Sequence, residues 1–409
     1  MTSPIKDKQI ILGVTGSIAC YKAADLASKL AQSGARVDVI LTQAATQFIT
    51  PLTFKSVTGK GAYVEADLWG SEGHVLHISL GHSADVIVIA PASANTIAKL
   101  AHGIADNLLT VTALAARCPL LIAPAMDGGM YTHPATQANL DILRQRGAII
   151  AGPAQGHLAS GLSGVGRMLE PGELLGFVRL ALAQNGPLKG RKVIVTAGGT
   201  HEPIDPVREI TNRSSGKQGF AIAQAALDLG AQVTLISAPV ELSTPVGAHR
   251  QDVRTAQEML EAVLEAIPDS DALIMAAAVA DFRPVDPQAH KIKKEKGIPQ
   301  IILENTPDIL HQVSGYRAQS GCPRLMVGFA AESKDLLENA SAKLRNKKLD
   351  LIAANDISAH DAGFAVDTNQ VTLLHAGGET ERLPLMSKEQ VAEVILERVV
   401  DKLGVRGEA

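Results

Sequence analysis

Two groups of residues have the types and spacing to do chemistry, one in each half of the chain. The denser is TAGGTHEPIDPVREITNRSSGKQG, Thr196 to Gly219, directly after the apolar run Val193-Ile194-Val195. An apolar strand emptying into Gly198-Gly199-Thr200, with Ser214-Ser215-Gly216-Lys217 ahead of a helix, predicts an anion site. Bare backbone N–H groups and a helix N-terminus point at phosphate there, and glycine lets the ligand come close. Further on, Ala276-Ala277-Ala278-Val279-Ala280-Asp281-Phe282 ends a strand in an acid, Lys291-Ile292-Lys293-Lys294 forms a basic loop, and Gly328-Phe329-Ala330-Ala331-Glu332 ends another strand. Lys343 and Lys347 are four apart, on one face if that segment is helical. Taken singly, the basic run is a solvated loop and the lysine pair a surface stripe. Taken together, lysines and a carboxylate converging on a glycine-lined edge make a triphosphate–metal site, with Asp281 able to hold Mg2+. Ser214-Ser215-Gly216-Lys217 lacks the GxxxxGK[ST] spacing, which counts against an ATPase or kinase.

In the first half, Thr15-Gly16-Ser17-Ile18-Ala19 follows a strand and opens a helix, so it either holds a phosphate or is a plain turn. GxGxxG is absent, and the second strand ends in Leu41-Thr42 where a dinucleotide site wants an acid. A mononucleotide such as FMN needs no such acid. A second polar cluster, Pro91-Ala92-Ser93-Ala94-Asn95-Thr96, follows Val86–Ala90 at the carboxyl edge where ligands of such sheets gather. His74, His77 and His82 sit just before that strand and read as surface-loop histidines, with His77, in His77-Ile78-Ser79-Leu80, the one set apart by its surroundings.

These residues need elements to position them. Short apolar runs recur at Ile10–Val14, Val37–Leu41, Val86–Ala90, Leu120–Ala123 and Ala148–Ala151. The pattern restarts with Val193–Thr196, Val233–Ser237, Ala272–Ala278, Leu325–Phe329 and Leu351–Ala354. Continuous rather than alternating hydrophobicity marks strands covered on both faces, hence parallel sheets wrapped by helices such as Ala23–Ser33, Asn139–Arg146 and Gly219–Leu229. The fold expected is α/β, two doubly wound Rossmann-like parallel-sheet domains in tandem. Boundaries fall at 1–186 and 191–409, joined by a turn-rich linker at 187–190. At 409 residues there is room for two cores, and a net charge of −4 gives no electrostatic case for nucleic acid. Cys20, Cys118 and Cys322 have no metal-ligand spacing and read as incidental thiols of a reducing compartment. The polar start MTSPIKDKQI does not support a secretory signal, and no apolar run reaches the ~18 residues of a membrane span, so a cytoplasmic protein is expected.

Several segments then carry a resemblance. His77-Ile78-Ser79-Leu80, APASANTIAKLAHGIADNLL (90–109), PAMDGGMY (124–131) and SGLSGVGRM (160–168) match, in order and spacing, the flavin-containing cysteine decarboxylases. With Thr196–Gly219 included, the chain from about residue 8 to 400 resembles the bifunctional coenzyme A biosynthesis family, in which phosphopantothenoylcysteine decarboxylase is fused to phosphopantothenate–cysteine ligase. The resemblance implies a redox-neutral decarboxylation. Oxidation of the cysteine thiol carbon by FMN creates the electron sink for CO2 loss, and the reduced flavin then returns the electrons. It places Gly16, Ser17, Ile18, Thr42, Ser93 and Asn95 at FMN, His77 at the proton, and Met126 at the substrate. Histidine suits proton transfer because imidazole titrates near neutrality.

For the second half the resemblance implies activation of the 4′-phosphopantothenate carboxylate by CTP, giving an acyl-cytidylate and pyrophosphate, and displacement of CMP by cysteine. It places Gly198, Met275, Ala276, Ala277, Asp281, Lys291, Pro307, Asp308, Ile309, Leu310, Phe329, Lys343 and Lys347 at CTP, with Asp281 at the metal. Arg208 and Asn212 serve the phosphopantothenoyl group and the acyl intermediate, Asn212 and Lys291 catalytically. The implied partners are these small molecules and further copies of the chain. Decarboxylase trimers would share each flavin site, ligase domains would pair, and the two symmetries together allow a dodecamer.

Two positions depart from the family pattern. Asp127 stands where the family's PxMN motif has asparagine, and Ser160 where its loop has a proton-donating cysteine. An ionised aspartate would repel the substrate carboxylate it should hold, and a hydroxyl is a far weaker acid than a thiol. Either another donor behind Ser160 closes the cycle, or the front half is a flavin-binding assembly or regulatory module attached to an active ligase.

Overall fold

The computed structural model describes residues 3–69, 73–159, 161–293, 298–332, 335–356 and 367–405. It divides into two compact units, residues 2–184 and 185–409.

The first unit begins with β1 (Gln9–Val14), α1 (Cys20–Gln32), β2 (Arg36–Leu41), α2 (Pro51–Thr58), β3 (Ala62–Tyr63) and α3 (Gly73–Ser83). It continues with β4 (Val86–Ala92), α4 (Ala94–His102), α5 (Leu108–Ala115), β5 (Leu120–Pro124), α6 (Gly128–Thr132), α7 (Pro134–Gln145) and β6 (Ile149–Ile150). A hairpin, β7 (Ala154–His157) and β8 (Ser163–Arg167), and α8 (Pro171–Ala183) complete it. The sheet order is β3-β2-β1-β4-β5-β6, all parallel. Along β1, Ile10, Leu12 and Val14 join one core cluster with residues of α1 and α8, while Ile11 joins another with residues of α4, α5 and α7. Both faces are therefore apolar, which is why the run shows no alternation.

The second unit repeats the plan. Its strands begin with β9 (Lys192–Ala197), a hairpin β10 (His201–Asp205) and β11 (Arg208–Thr211), then β12 (Gln232–Ser237), β13 (His249–Asp252) and β14 (Ala272–Met275). A short pair β15 (Phe282–Pro284) and β16 (Leu303–Asn305) precedes β17 (Leu325–Glu332), β18 (Leu351–Asp356), β19 (Thr368–Asn369), β20 (Val371–His375), β21 (Thr380–Arg382) and β22 (Met386–Ser387). The helices are α9 (Lys217–Asp228), α10 (Ala256–Ala266), α11 (Ile309–Ser320), α12 (Leu336–Asn346) and α13 (Lys388–Leu403). The main sheet runs β13-β12-β9-β14-β17-β18-β20-β21. Its first six strands are parallel, and β20 and β21 add an antiparallel edge that the apolar runs do not announce.

In chain order, the six parallel strands of each sheet read 3-2-1-4-5-6, the doubly wound Rossmann arrangement expected from the sequence. The order reverses between β1 and β4 in one unit and between β9 and β14 in the other, and ligands of such sheets bind at the carboxyl ends there. In the segment read as a linker, Leu188 is fully buried and its amide donates to the Leu229 carbonyl at 2.8 Å, within the second unit. The histidines are not in a loop: His77 and His82 lie within α3, which also includes position 74.

Candidate active sites

In the first unit, the predicted flavin residues come from three adjacent strands at one sheet edge. Gly16, Ser17 and Ile18 follow β1, Thr42 follows β2, and Ser93 and Asn95 follow β4. A buried threonine locks two of these turns together. Thr15 Oγ1 donates to the Pro91 carbonyl at 2.8 Å and accepts from the Ser93 amide at 2.9 Å. Thr42 is held to β1 by its amide, which donates to the Val14 carbonyl at 3.0 Å. Ser93 caps α4, accepting from the Thr96 amide, whereas no side chain caps α1. The α1 start thus carries no side-chain cap, although the Cys20 and Lys22 amides donate to the Ser17 and Ala19 carbonyls at 3.1 and 3.0 Å; what it offers an anion is chiefly the positive end of the helix dipole. Neutral hydroxyls, one amide side chain and an uncapped helix start form a donor set that fits a mononucleotide phosphate, so FMN fits these residues.

His77 is half-buried, and among the described residues its Nδ1 is buried without a hydrogen-bond partner. Met126 and Asp127 follow β5, the strand beyond β4. Asp127 is the N-cap of α6, its Oδ1 accepting from the Gly129 amide at 2.9 Å. An asparagine would cap equally well through its own side-chain oxygen, so the exchange keeps the local structure and changes only the other terminal atom. Ser160 lies outside the described residues; the chain from β8 to α8, which follows it in sequence, is fastened at two points. The Met126 amide donates to the Gly166 carbonyl at 3.0 Å. Gly166 has φ +148°, and a Cβ there would stand 2.2 Å from the Met126 carbonyl oxygen, so only glycine allows this approach. On the other flank, buried Lys22 of α1 donates to the Met168 carbonyl and to Glu170, both at 2.9 Å. That hydrogen bond, against an opposing effect of burial and with the charges of Lys22 and Arg167 assisting, holds the Glu170 carboxyl below its usual range.

The second unit has a cleft of about 880 Å³ at the carboxyl edge of its sheet. Met275, Ala276, Ala277 and Asp281 line it after β14, Pro307 to Leu310 at the start of α11, Phe329 from β17, and Lys343 and Lys347 from α12 and its end. Lys343 Nζ donates to the Phe329 carbonyl at 2.8 Å, and Lys347 pairs with Asp308. Asn212 also lines the cleft, its amide nitrogen donating to the Val279 carbonyl at 3.0 Å. Two fully buried threonines brace the turn after β14 that lines it: Thr196 Oγ1 accepts from the Ala277 amide at 3.1 Å and Thr200 Oγ1 from the Ala280 amide at 2.9 Å. Gly198 braces the same turn, its carbonyl accepting from the Ala278 amide at 2.8 Å.

Gly198, Arg208 and Lys291 are not among the lining residues. Arg208, on β11, instead donates to the Ile292 carbonyl at 3.3 Å, and the Ile292 amide donates to Asp205 at 3.1 Å. The exposed Lys291 segment is thus tied to the hairpin; Lys294 lies outside the described residues. Asp281 is exposed, and among the described residues no group of three or more His, Cys, Asp or Glu could hold a metal. A single carboxylate fits Mg2+ that arrives on a polyphosphate and keeps most of its water. The structure adds Asn355, Asn369 and Lys388 to the cleft, with the side-chain oxygens of both asparagines buried and unpartnered among the described residues. Nothing in their local sequence signals this.

Comparison with known proteins agrees with this division. Residues 2–182 match the family model Flavoprotein, and residues 188–403 match the DNA/pantothenate metabolism flavoprotein C-terminal domain. The coenzyme A biosynthesis bifunctional protein CoaBC of Bacillus subtilis (strain 168) is 44% identical over 398 residues, covering 97% of each chain. The chain belongs to the family of coenzyme A biosynthesis bifunctional proteins. Among solved structures, the C-terminal domain of such a protein is 40% identical, covering 54% of this chain and 98% of that one, with a TM-score of 0.46. An FMN-dependent cysteine decarboxylase, SpaF, is 34% identical, covering 44% and 98%, with a TM-score of 0.38. The family's decarboxylase and ligase halves thus correspond, in order, to the matched regions. Among the described residues no helix is long and apolar enough to cross a membrane.

Proposed function

We propose that the second unit joins cysteine to 4′-phosphopantothenate through an acyl-cytidylate, and that the first unit decarboxylates the resulting 4′-phosphopantothenoylcysteine to 4′-phosphopantetheine. The observation that carries the reading is the second unit's cleft, where Asp281, Lys343, Lys347 and Asn212 surround one cavity at the point where the strand order reverses. A carboxylate expels oxide too poorly to form an amide directly. Attack on the α-phosphate of CTP converts it into a mixed anhydride with CMP as leaving group. Lys343 and Lys347 offset the charge that develops there, and Asp281 receives the Mg2+ that accompanies the triphosphate. Asn212, pinned against the 278–279 turn, holds the activated acyl group for attack by the cysteine amine. Arg208 and Lys291, tied to each other's segments, reach the substrate from the hairpin side, Arg208 as a planar fork for a phosphate or carboxylate.

In the first unit, Gly16 to Ile18, Thr42, Ser93 and Asn95 would hold FMN, which supplies the reversible two-electron oxidation that makes CO2 loss feasible. His77 handles the proton through an imidazole whose Nδ1 has no competing partner among the described residues. Asp127 keeps the chain turn beside Met126 in place by capping α6. Because aspartate caps α6 as asparagine would, the local backbone of the site is kept, which favours complete turnover over the reading of a disabled front half. The family resemblance extends this reading to a cytoplasmic protein that works as a homo-oligomer of decarboxylase trimers and ligase pairs.

The test supplies the purified chain with 4′-phosphopantothenate, CTP, Mg2+ and cysteine and weighs the products. CMP, pyrophosphate, CO2 and 4′-phosphopantetheine are expected. Unconsumed CTP would refute the ligase reading. A yellow protein that consumes CTP and cysteine yet releases no CO2 would favour the front half as an assembly module.

A further inference from the structure

Asp205, the last residue of β10, is a carboxylate whose side chain is fully buried. Burying a charge is costly unless hydrogen bonds and a counter-charge satisfy it. Its two oxygens serve two different stretches of chain. Oδ1 accepts from the Val207 amide at 2.9 Å, within the turn between β10 and β11. Oδ2 accepts from the Ile292 amide at 3.1 Å, 87 residues further on. The Arg208 guanidinium stands 3.5 Å from the same oxygen and also donates to the Ile292 carbonyl at 3.3 Å. Ile292 is thus held through both of its backbone groups.

A second tie lies four residues earlier, where the Gln288 amide donates to the Ile204 carbonyl at 2.9 Å. Lys291 sits between the two ties. Residues 285–291 are all exposed and belong to no helix or strand, so burial contributes little to holding them. A lysine side chain is long and flexible, and where its ammonium group can reach depends on where its backbone is fixed. The turn by itself would not require a carboxylate, since asparagine closes such turns through one oxygen. What the carboxylate adds is a second acceptor, and that acceptor is spent on the residue after Lys291.

We propose that Asp205 is a positioning residue for Lys291, fixing the place from which its ammonium group acts. This rests on the ligase reading, in which Lys291 serves the reaction. The Asp205 side chain is closed to solvent and acts only through the segment it holds. Asparagine matches its shape but has a single acceptor. Whichever way that amide is turned, either the Val207 or the Ile292 amide meets an NH2 group and loses its bond. The Ile292 tie yields, because an exposed segment moves more freely than a two-residue turn.

Steady-state amide formation by the full chain, measured for Asp205→Asn, Lys291→Ala and the double variant, tests this. Asp205→Asn should lower kcat/KM for CTP at least tenfold. The double variant should lie within twofold of Lys291→Ala alone, because positioning has no value once the ammonium group is gone. Effects that multiply would reveal a general structural role and overturn the proposal. Hydrogen exchange of the Ile292 amide should quicken at least tenfold in Asp205→Asn, and an unchanged rate would also overturn it. If Asp205→Asn loses its cooperative melt, Gln288→Pro decides by the same cycle, since proline deletes the amide hydrogen of the other tie at an exposed position. A Lys291→Ala chain that forms amide as the wild type does removes the role of Lys291 itself, a result distinct from multiplying effects.

Discussion

Replacing Gly166 by alanine should damage the first active site without replacing any residue assigned to chemistry. The added Cβ would stand 2.2 Å from the Met126 carbonyl oxygen, a backbone atom with no rotamer to escape into. The φ of +148° is itself unfavourable for alanine. Backbone strain of about 1–3 kcal/mol combined with overpacking of similar size gives a destabilisation of roughly 3 kcal/mol. For a unit of this size that lowers the melting temperature by roughly 6–12 °C. The alternative is that the hairpin lifts away, which breaks the bond from the Met126 amide to the Gly166 carbonyl and moves β8 off the turn at Met126. Either way, CO2 release from 4′-phosphopantothenoylcysteine should fall more than tenfold, while amide formation in the second unit stays within about twofold (a 1 Å misplacement can cost a hundredfold). Gly164→Ala in the same hairpin is the control, since its Cβ would meet only Leu158 Cδ1 at 3.8 Å. If Gly166→Ala matched wild type in melting and CO2 release, the hairpin would not be positioned by this contact.

Three further outcomes are expected. Asn212→Ala should still form the acyl-cytidylate yet pass it to cysteine at least tenfold more slowly, as quench-flow with mass detection would reveal; a normal rate of amide formation would remove Asn212 from its role. Lys347→Ala should raise the KM for CTP about tenfold through loss of a charge-assisted contact, with the fold intact because Asp308 still caps α11 through the His311 amide. Lys22→Met should destabilise the first unit and flatten its acid dependence. Glu170 is held below its usual carboxylate range by Lys22, so its contribution is fully present above the unfolded pKa near 4.5 and disappears as pH falls through the folded value. Urea titrations from pH 6 to pH 3 on both proteins check the sign; a steeper pH dependence in the variant would contradict it.

The parallel strands were legible because burial on both faces imposes a continuous apolar run, as in Ile10–Val14 and Val193–Val195. The hairpins β7–β8 and β10–β11 were not, since Gln155-Gly156-His157 and Arg208-Glu209-Ile210 are largely exposed and show neither a continuous run nor an alternation. The helix holding His77 was read as a loop because its apolar residues are not gathered on one buried stripe: Val75 is 50% exposed and Ile78 38%, while Leu80 is buried. Glycines marked the anion turns correctly, but the groups that clamp those turns together are the buried hydroxyls of Thr15, Thr196 and Thr200. Threonine at the end of a strand carries no local mark of such a role.

The amino-acid order by itself determined the two α/β layers, the turn chemistry at each strand end, and the residue types offered to a phosphate, because these depend on spacings of a few residues. Which strand ends lie side by side was decided by the tertiary structure, through the reversal of strand order between β1 and β4 and between β9 and β14. The same holds for the Asn369–Gln218–Lys388 link, in which Gln218 lies 151 residues from Asn369 and 170 from Lys388, and which forms only because β19 and α13 return to the start of α9. Local periodicity records which face of an element is buried, but what covers that face depends on distant chain, and a cleft is made of exactly those long-range neighbours.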